Sequence, residues 1–447
     1  VKKMAEKLNS LLIRGGYIID PAQGVDEAGN LLITGGEISW RGKWEETPPL
    51  PEYDSLDAEG LAVCPGFIDL HCHLREPGFE EKETIATGSL AAARGGFTTI
   101  CCMPNTDPPL DNKAAVEYVK AKAAEEGVVH VLPIGCISVG REGKELAPMD
   151  ELASAGVIGF SDDGAPATTS LMRQALEHSR DSGLPVIDHC EDTSLTMGGQ
   201  VNEGIMSIRL KLQGIPAAAE ETIVARDLEL AELTGGRLHI AHVSTAGSVE
   251  LIRRAKEKGV RVTAEATPHH LTLTEEALLG YNTSAKVNPP LRTGRDVAAL
   301  VRGLKDGVID IIATDHAPHT GEEKRRDFTQ APFGINGFET ALGSLMGLVH
   351  TGRLSLSELV ARLTCEPAKI IGGEYGRLGT LAIGAPADVT VFAPTLNWVV
   401  DTGIFASKGR NTPLAGTTLK GKVVATIYGG SPVYLDETVR IETEHGI

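Results

Sequence analysis

The chain has 447 residues and carries 42 Lys+Arg against 60 Asp+Glu, a formal net charge of −18. That balance argues against nucleic acid or an anionic membrane as partner, since both demand a basic footprint. It leaves room for a small anionic substrate, for which one or two local cations suffice.

The opening Val1-Lys2-Lys3-Met4 runs into 8–13 without a long apolar region or a small-residue cleavage site, so no secretory signal is expected. No apolar run reaches the ~18 residues of a membrane-spanning helix. Segments 11–20 and 30–40 read as strands with glycine turns. At the other end 387–392 and 421–428 read the same way, with Gly429-Gly430 as a turn. The two β-rich ends predict one small β-sandwich domain built from residues 1–64 and 371–447; separate end caps are the alternative.

Residues 65–370 alternate between strand and helix. Strand-like runs cover 62–74, 97–103, 128–136, 157–161, 185–189, 238–243, 260–266 and 308–314. Helical patterns such as 113–126, 168–182, 217–234, 248–258 and 295–305 lie between them. Eight alternations predict an α/β chain with a (β/α)8 TIM barrel. A doubly wound sheet is the competing architecture, but no Gly-x-Gly-x-x-Gly follows any strand and no phosphate loop is present. The seven cysteines include no Cys-x-x-Cys pair. They read as reduced thiols of a cytoplasmic protein rather than zinc ligands.

Metal-binding side chains gather at the predicted C-terminal strand ends, where a barrel keeps its active site. His71-Cys72-His73 ends the first strand, and its alternation points both imidazoles to one side and Cys72 to the other. Asp162-Asp163-Gly164 ends the fourth strand, His189 the fifth, His242 the sixth and Asp315 the eighth. Four histidines and two carboxylates make a ligand count suited to two-metal hydrolysis with a shared carboxylate; a single ion would use fewer. His130, His178, His350 and His445 lie in structural or exposed contexts. His239 has the opposite parity to His242, and His269-His270 follow a strand after the ligand set is full.

Pro65-Gly66-Phe67-Ile68-Asp69-Leu70-His71-Cys72-His73-Leu74-Arg75-Glu76-Pro77-Gly78 resembles the opening of the cyclic amidohydrolases. Met103-Pro104-Asn105-Thr106, Ser161-Asp162-Asp163-Gly164, Asp188-His189-Cys190-Glu191-Asp192, His239-Ile240-Ala241-His242-Val243-Ser244-Thr245, Lys286-Val287-Asn288-Pro289-Pro290-Leu291-Arg292 and Ala313-Thr314-Asp315-His316-Ala317-Pro318-His319-Thr320 extend the likeness. It is fullest to bacterial class I dihydroorotases, from about 11 to 428. The resemblance implies zinc, one or two ions per subunit, on His71, His73, Asp163, His189, His242 and Asp315. It also implies that an aspartate bridges the ions. Asp163 is preferred over Asp162, which would then cap the turn or bond backbone amides.

It further implies reversible hydrolysis of dihydroorotate to N-carbamoyl-aspartate in pyrimidine biosynthesis, with Asp315 as general base and acid. Arg75, Asn105 and His319 resemble the family's carboxylate binders, Asn288 its ring contact, and Phe333 and Gly334 its backbone contacts. If the first strand continues, Arg75 shares the parity of both histidines and points over the site. The charged stretch 320–327 is either a mobile lid or a solvated loop. A homodimer is expected by resemblance, and assembly with aspartate transcarbamoylase is a further partner reading. The rival functions are a hydantoinase or allantoinase, whose fourth strand usually carries a carboxylated lysine absent from 156–164, and an inactive structural partner of the transcarbamoylase.

Overall fold

The computed structural model describes residues 10–46, 48–50 and 52–444. The opening Val1-Lys2-Lys3-Met4 and His445 lie outside the described residues. Among the described residues, strands from both ends of the chain form one nine-stranded sheet. Its main path runs Ser431–Leu435, Thr418–Tyr428, Val389–Val399, Ala62–Pro65, Ser10–Asp20, Val25–Thr34 and Glu37–Lys43. Tyr53–Asp57 pairs with the first half of Ser10–Asp20, and Ile441–Glu444 joins Tyr53–Asp57. The segment expected as one strand over 30–40 is a hairpin. Gly35 and Gly36, with φ of 62° and 91°, turn the chain between Val25–Thr34 and Glu37–Lys43.

The sheet is buried on both faces. Ile18, Val391 and Val424 join its own core, while their neighbours Ile19, Phe392 and Val423 join the core of the middle segment. Alternation along a strand thus welds the two parts together.

The middle segment is a closed parallel barrel. Phe67–Cys72 pairs with Phe97–Cys102, which pairs with His130–Pro133. Val186–Asp188, Leu238–Ile240, Val262–Ala266 and Ile311–Ile312 follow in order. The fourth stave is only Phe160, bridged to Gly135 on one side and Val186 on the other, and Cys72 bridges His316 to close the ring. The expected strand over 157–161 is cut short because Gly156, at φ 92°, ends a helix just before it. Just after it the Asp162 carboxylate takes the amides of Ile137 and Ser138.

The expected strand over 62–74 is likewise two: Ala62–Pro65 belongs to the terminal sheet and Phe67–Cys72 to the barrel. Gly66 sits between them, packed so closely against Thr98 that a Cβ has no room. Helices connect the staves, several of them begun by a side-chain cap such as Thr84, Asn112, Thr168 or Thr245. Among the described residues, no helix is long and apolar enough to cross a membrane.

Candidate metal centre and substrate pocket

The histidines and aspartates anticipated at the strand ends converge on one point. Asp163 Oδ1 lies 3.6 Å from His71 Nε2, His189 Nδ1 and His242 Nε2, and its other oxygen lies 3.6 Å from His73 Nε2. Two groups of possible metal ligands therefore share this carboxylate: His71, His73 and Asp163, and Asp163, His189 and His242. Asp315 Oδ1 stands 3.1 Å from His73 Nε2 and 3.6 Å from His71 Nε2. Asp162 faces away into backbone amides.

Backbone strain aims two of these side chains. His242 and Asp315 have φ of 30° and 47°, a region β-substituted residues rarely occupy. Glu265 Oε1 accepts from His242 N at 3.1 Å. Beyond Asp315, His316 N donates to Thr314 Oγ1, and Thr314 itself is held by Asp69 at 2.7 Å.

Outer hydrogen bonds select which imidazole nitrogen faces the centre. His71 Nδ1 meets Glu265 Oε1 at 2.7 Å, leaving a buried Nε2 with no hydrogen-bond partner. His73 Nδ1 meets Asn105 Oδ1 at 2.9 Å, and His189 Nε2 meets Glu191 Oε2 at 3.0 Å. A carboxylate or carbonyl behind the imidazole is the arrangement that orients metal-ligating histidines.

Electrostatics point the same way. Burial alone would lower His71, but Glu265, Asp315 and Asp163 outweigh it and raise the imidazole to about 10. Burial is likewise outweighed at His189, raised to about 10 by Asp163 and Glu191. Asp163 and Asp315 resist burial and stay well below the usual carboxylate range, held there by the neighbouring histidines. Histidines and carboxylates thus hold one another charged around a single point, while burial lowers His73. The cluster's orphaned Nε2, four imidazoles and shared carboxylate fit divalent cations. A third buried group, Asp188, Cys190 and Asp227, already has its cation, since Arg226 Nε lies 2.8 Å from Asp227.

A cavity of about 280 Å³ opens over the cluster, lined by His73, Asp163, His189, His242 and Asp315 together with Arg75, Asn105, Asn288, His319, Phe333 and Gly334. All six anticipated substrate-binding residues therefore reach one space. Arg75 arrives by a different route from the one expected. The strand ends at Cys72, and Arg75 sits at φ 63°, its Nε donating to Pro318 O at 3.3 Å. Asn105 is half-buried and braces the ligands as well, donating to Asp163 Oδ2 at 3.2 Å. His319 Nε2 lies 2.7 Å from Phe333 O, which makes that nitrogen the protonated one. A larger cavity, about 450 Å³, lies beside Trp398 and Phe338 and is lined by none of the cluster residues.

A dihydro-orotase-like family model matches residues 60–248. Dihydroorotase of Pelotomaculum thermopropionicum is 53% identical over 96% of this chain and 100% of its own length. Dihydroorotase of Pelobacter propionicus is 51% identical over 95% of this chain and 99% of its own. The chain belongs to the dihydroorotase family. Among solved structures, the L-hydantoinase of Arthrobacter aurescens aligns with a TM-score of 0.85 at 25% identity, covering 98% of both chains. The dihydropyrimidinase of Brevibacillus agri gives 0.84 at 25% identity, over 98% of this chain and 97% of its own.

This dihydroorotase-family chain also uses residues that sequence reasoning passed over. Glu265 serves His71, His239 and His242 at once. Its signal was a charge inside an otherwise apolar or small strand, Val262–Ala266. Glu191 joins His189 to Asn288, whose Nδ2 donates to it at 2.9 Å. Lys324, in the charged stretch, is buried while Arg325 and Arg326 after it are exposed. Its ammonium donates to Thr283 O, Lys286 O and Pro332 O, while Lys286 holds Phe328 O and Ala331 O. These lysines pin the loop that carries Phe333. No local pattern distinguishes them from solvated lysines.

Proposed function

We propose that the chain is a zinc-dependent dihydroorotase that opens and closes the ring of (S)-dihydroorotate, interconverting it with N-carbamoyl-L-aspartate in pyrimidine biosynthesis. The supporting observation is that one cavity unites the Asp163-centred histidine cluster with Arg75, Asn105 and His319. The two ligand groups that share Asp163 support a pair of ions. Zinc on His71, His73, Asp163, His189, His242 and Asp315 would polarise the ring carbonyl and bring the pKa of water to ~7.

The protein's own groups do the rest. Arg75 presents a planar fork that matches the substrate carboxylate. Asn105 and His319 flank it, while Asn288 and the Phe333–Gly334 backbone face the ring. Asp315, kept ionised, accepts the proton of the water that adds to the carbonyl. As the carbonyl carbon–nitrogen bond breaks, it returns that proton to the departing ring nitrogen. The reverse order closes the ring.

Likeness to hydantoinases favours a second reading, an amidase for uncharged rings. Arg75 counts against it, because such a ring gives a guanidinium in the pocket nothing to pair with. The reading also takes the enzyme to be cytoplasmic, which the unpaired state of all seven cysteines supports. A homodimer and docking to aspartate transcarbamoylase belong to the same reading, checked by solution mass with and without the transcarbamoylase.

The deciding experiment measures turnover of dihydroorotate, hydantoin and allantoin beside metal content on one sample, with Asp315→Asn as control. Dihydroorotate turnover, lost in the variant while metal is retained, is expected. Turnover of hydantoin or allantoin alone would overturn the proposal.

A further inference from the structure

Residues 405–412 lie between two strands of the terminal sheet, yet they pack into the barrel behind the substrate pocket. Asn336 Nδ2 holds this segment by Ser407 Oγ and Gly409 O, each at 2.8 Å. Gly409 comes so close to Pro318 that a Cβ there would lie 2.6 Å from the proline's own. Asn411 then reaches further in. Its side chain is buried, and its Nδ2 donates to Ala317 O at 2.9 Å and to Gly334 O at 3.0 Å. Its Oδ1 accepts from His319 N at 3.0 Å. The three partners fix the orientation of the amide, because turning it over would set its oxygen against two carbonyls.

These atoms belong to two separate stretches of the cavity wall, 317–319 and 334. The stretches touch directly: at φ 142°, a Cβ on Gly334 would lie 2.7 Å from Ala317 O and 2.9 Å from His319 Cδ2. Beside the direct bonds Ala317 N to Ile335 O at 2.9 Å and His319 Nε2 to Phe333 O at 2.7 Å, one carboxamide therefore braces the backbone that carries His319 against the backbone that faces the substrate ring. Asn411 itself does not line the cavity.

We infer that Asn411 is a positioning residue for substrate binding, acting through the paired seats of His319 and Gly334; the inference rests on the dihydroorotase reading above. Loss of the carboxamide leaves one amide and two carbonyls buried without partners, and the wall shifts to satisfy them. The metal cluster and Asp315 keep their own supports, so the defect falls on binding.

The test compares Asn411→Ala and Asn411→Asp with wild type in steady-state kinetics on dihydroorotate, with metal content and thermal unfolding on the same samples. The aspartate keeps the size and the acceptor for His319 N but sets a carboxylate oxygen against two carbonyls. KM is expected to rise about tenfold or more, because small misplacements of binding groups are costly. kcat is expected to stay within about threefold, with wild-type metal content. Hydrogen exchange over 317–335 should quicken in Asn411→Ala, a readout that needs no substrate. An unchanged KM in a folded variant, unchanged exchange, a joint fall of kcat and metal content, or loss of the fold in both variants would each overturn the inference. A wild type inactive on dihydroorotate would instead overturn the functional reading, while exchange would still report on the seat.

Discussion

Glu265 Oε1 stands 2.7 Å from His71 Nδ1, and both side chains are fully buried. The pair leaves His71 Nε2 as the nitrogen that faces Asp163, and it makes the imidazole a stronger donor toward a cation. Glu265→Gln is therefore expected to weaken metal binding by about 10- to 100-fold. Competition against a chromophoric chelator measures this; unchanged affinity in a folded variant would refute the orienting role.

Asp163 is the one carboxylate common to both ligand groups. Asp163→Asn should lower the metal stoichiometry, because a neutral amide cannot share charge between two cations. Turnover should fall by ~10²-fold or more, the scale on which loss of one transition-state electrostatic partner registers. Elemental analysis with steady-state kinetics checks both; full metal content would count against a bridge.

Arg75→Met should raise KM for dihydroorotate by about 10- to 100-fold, the worth of a charge-assisted hydrogen bond of roughly 1.5–3 kcal/mol. Metal content should not change. Equal losses on dihydroorotate and on an uncharged cyclic amide would remove Arg75 from carboxylate recognition.

The pH dependence of stability has a testable contributor away from the metal cluster. Burial pushes the Glu339 carboxyl up to about 7, against the opposing pull of the Ala406 and Ser407 amides and of Arg94. A carboxyl whose folded value lies above its unfolded one stabilises fully below the unfolded value, and that contribution is lost as pH rises through the folded one. The window is thus between the ordinary 4.5 and about 7. Glu339→Gln should gain stability relative to wild type across this window, by about 3 kcal/mol at most. Thermal melts at both ends of the window measure it; a pH-independent difference would show that the carboxyl is ionised throughout.

The barrel was legible because its signals are periodic and local. His71 and His73 share a face by simple strand alternation, and each further ligand follows an apolar run. The fourth stave shows where such reading fails: Phe160 alone completes the ring, held by neighbours on both sides rather than by any pattern of its own. Arg75 was placed in the right cavity by a parity argument that does not apply, since the chain has already turned at φ 63°. Glu265, Lys324 and Asn411 act through partners remote in sequence. Asn411 answers to residues 77 and 94 positions away, a relation no spacing rule expresses.

The sheet order places Ala62–Pro65 between the first strand of the chain and Val389–Val399, and the Asn411 seat comes later still. During synthesis the ribosome releases His71 and His73 early, while Asp315 emerges much later and Asn411, the brace behind the pocket wall, later still. Residues that build one pocket are thus separated by some 340 positions of chain, from His71 to Asn411, and the order of the strands brings them together.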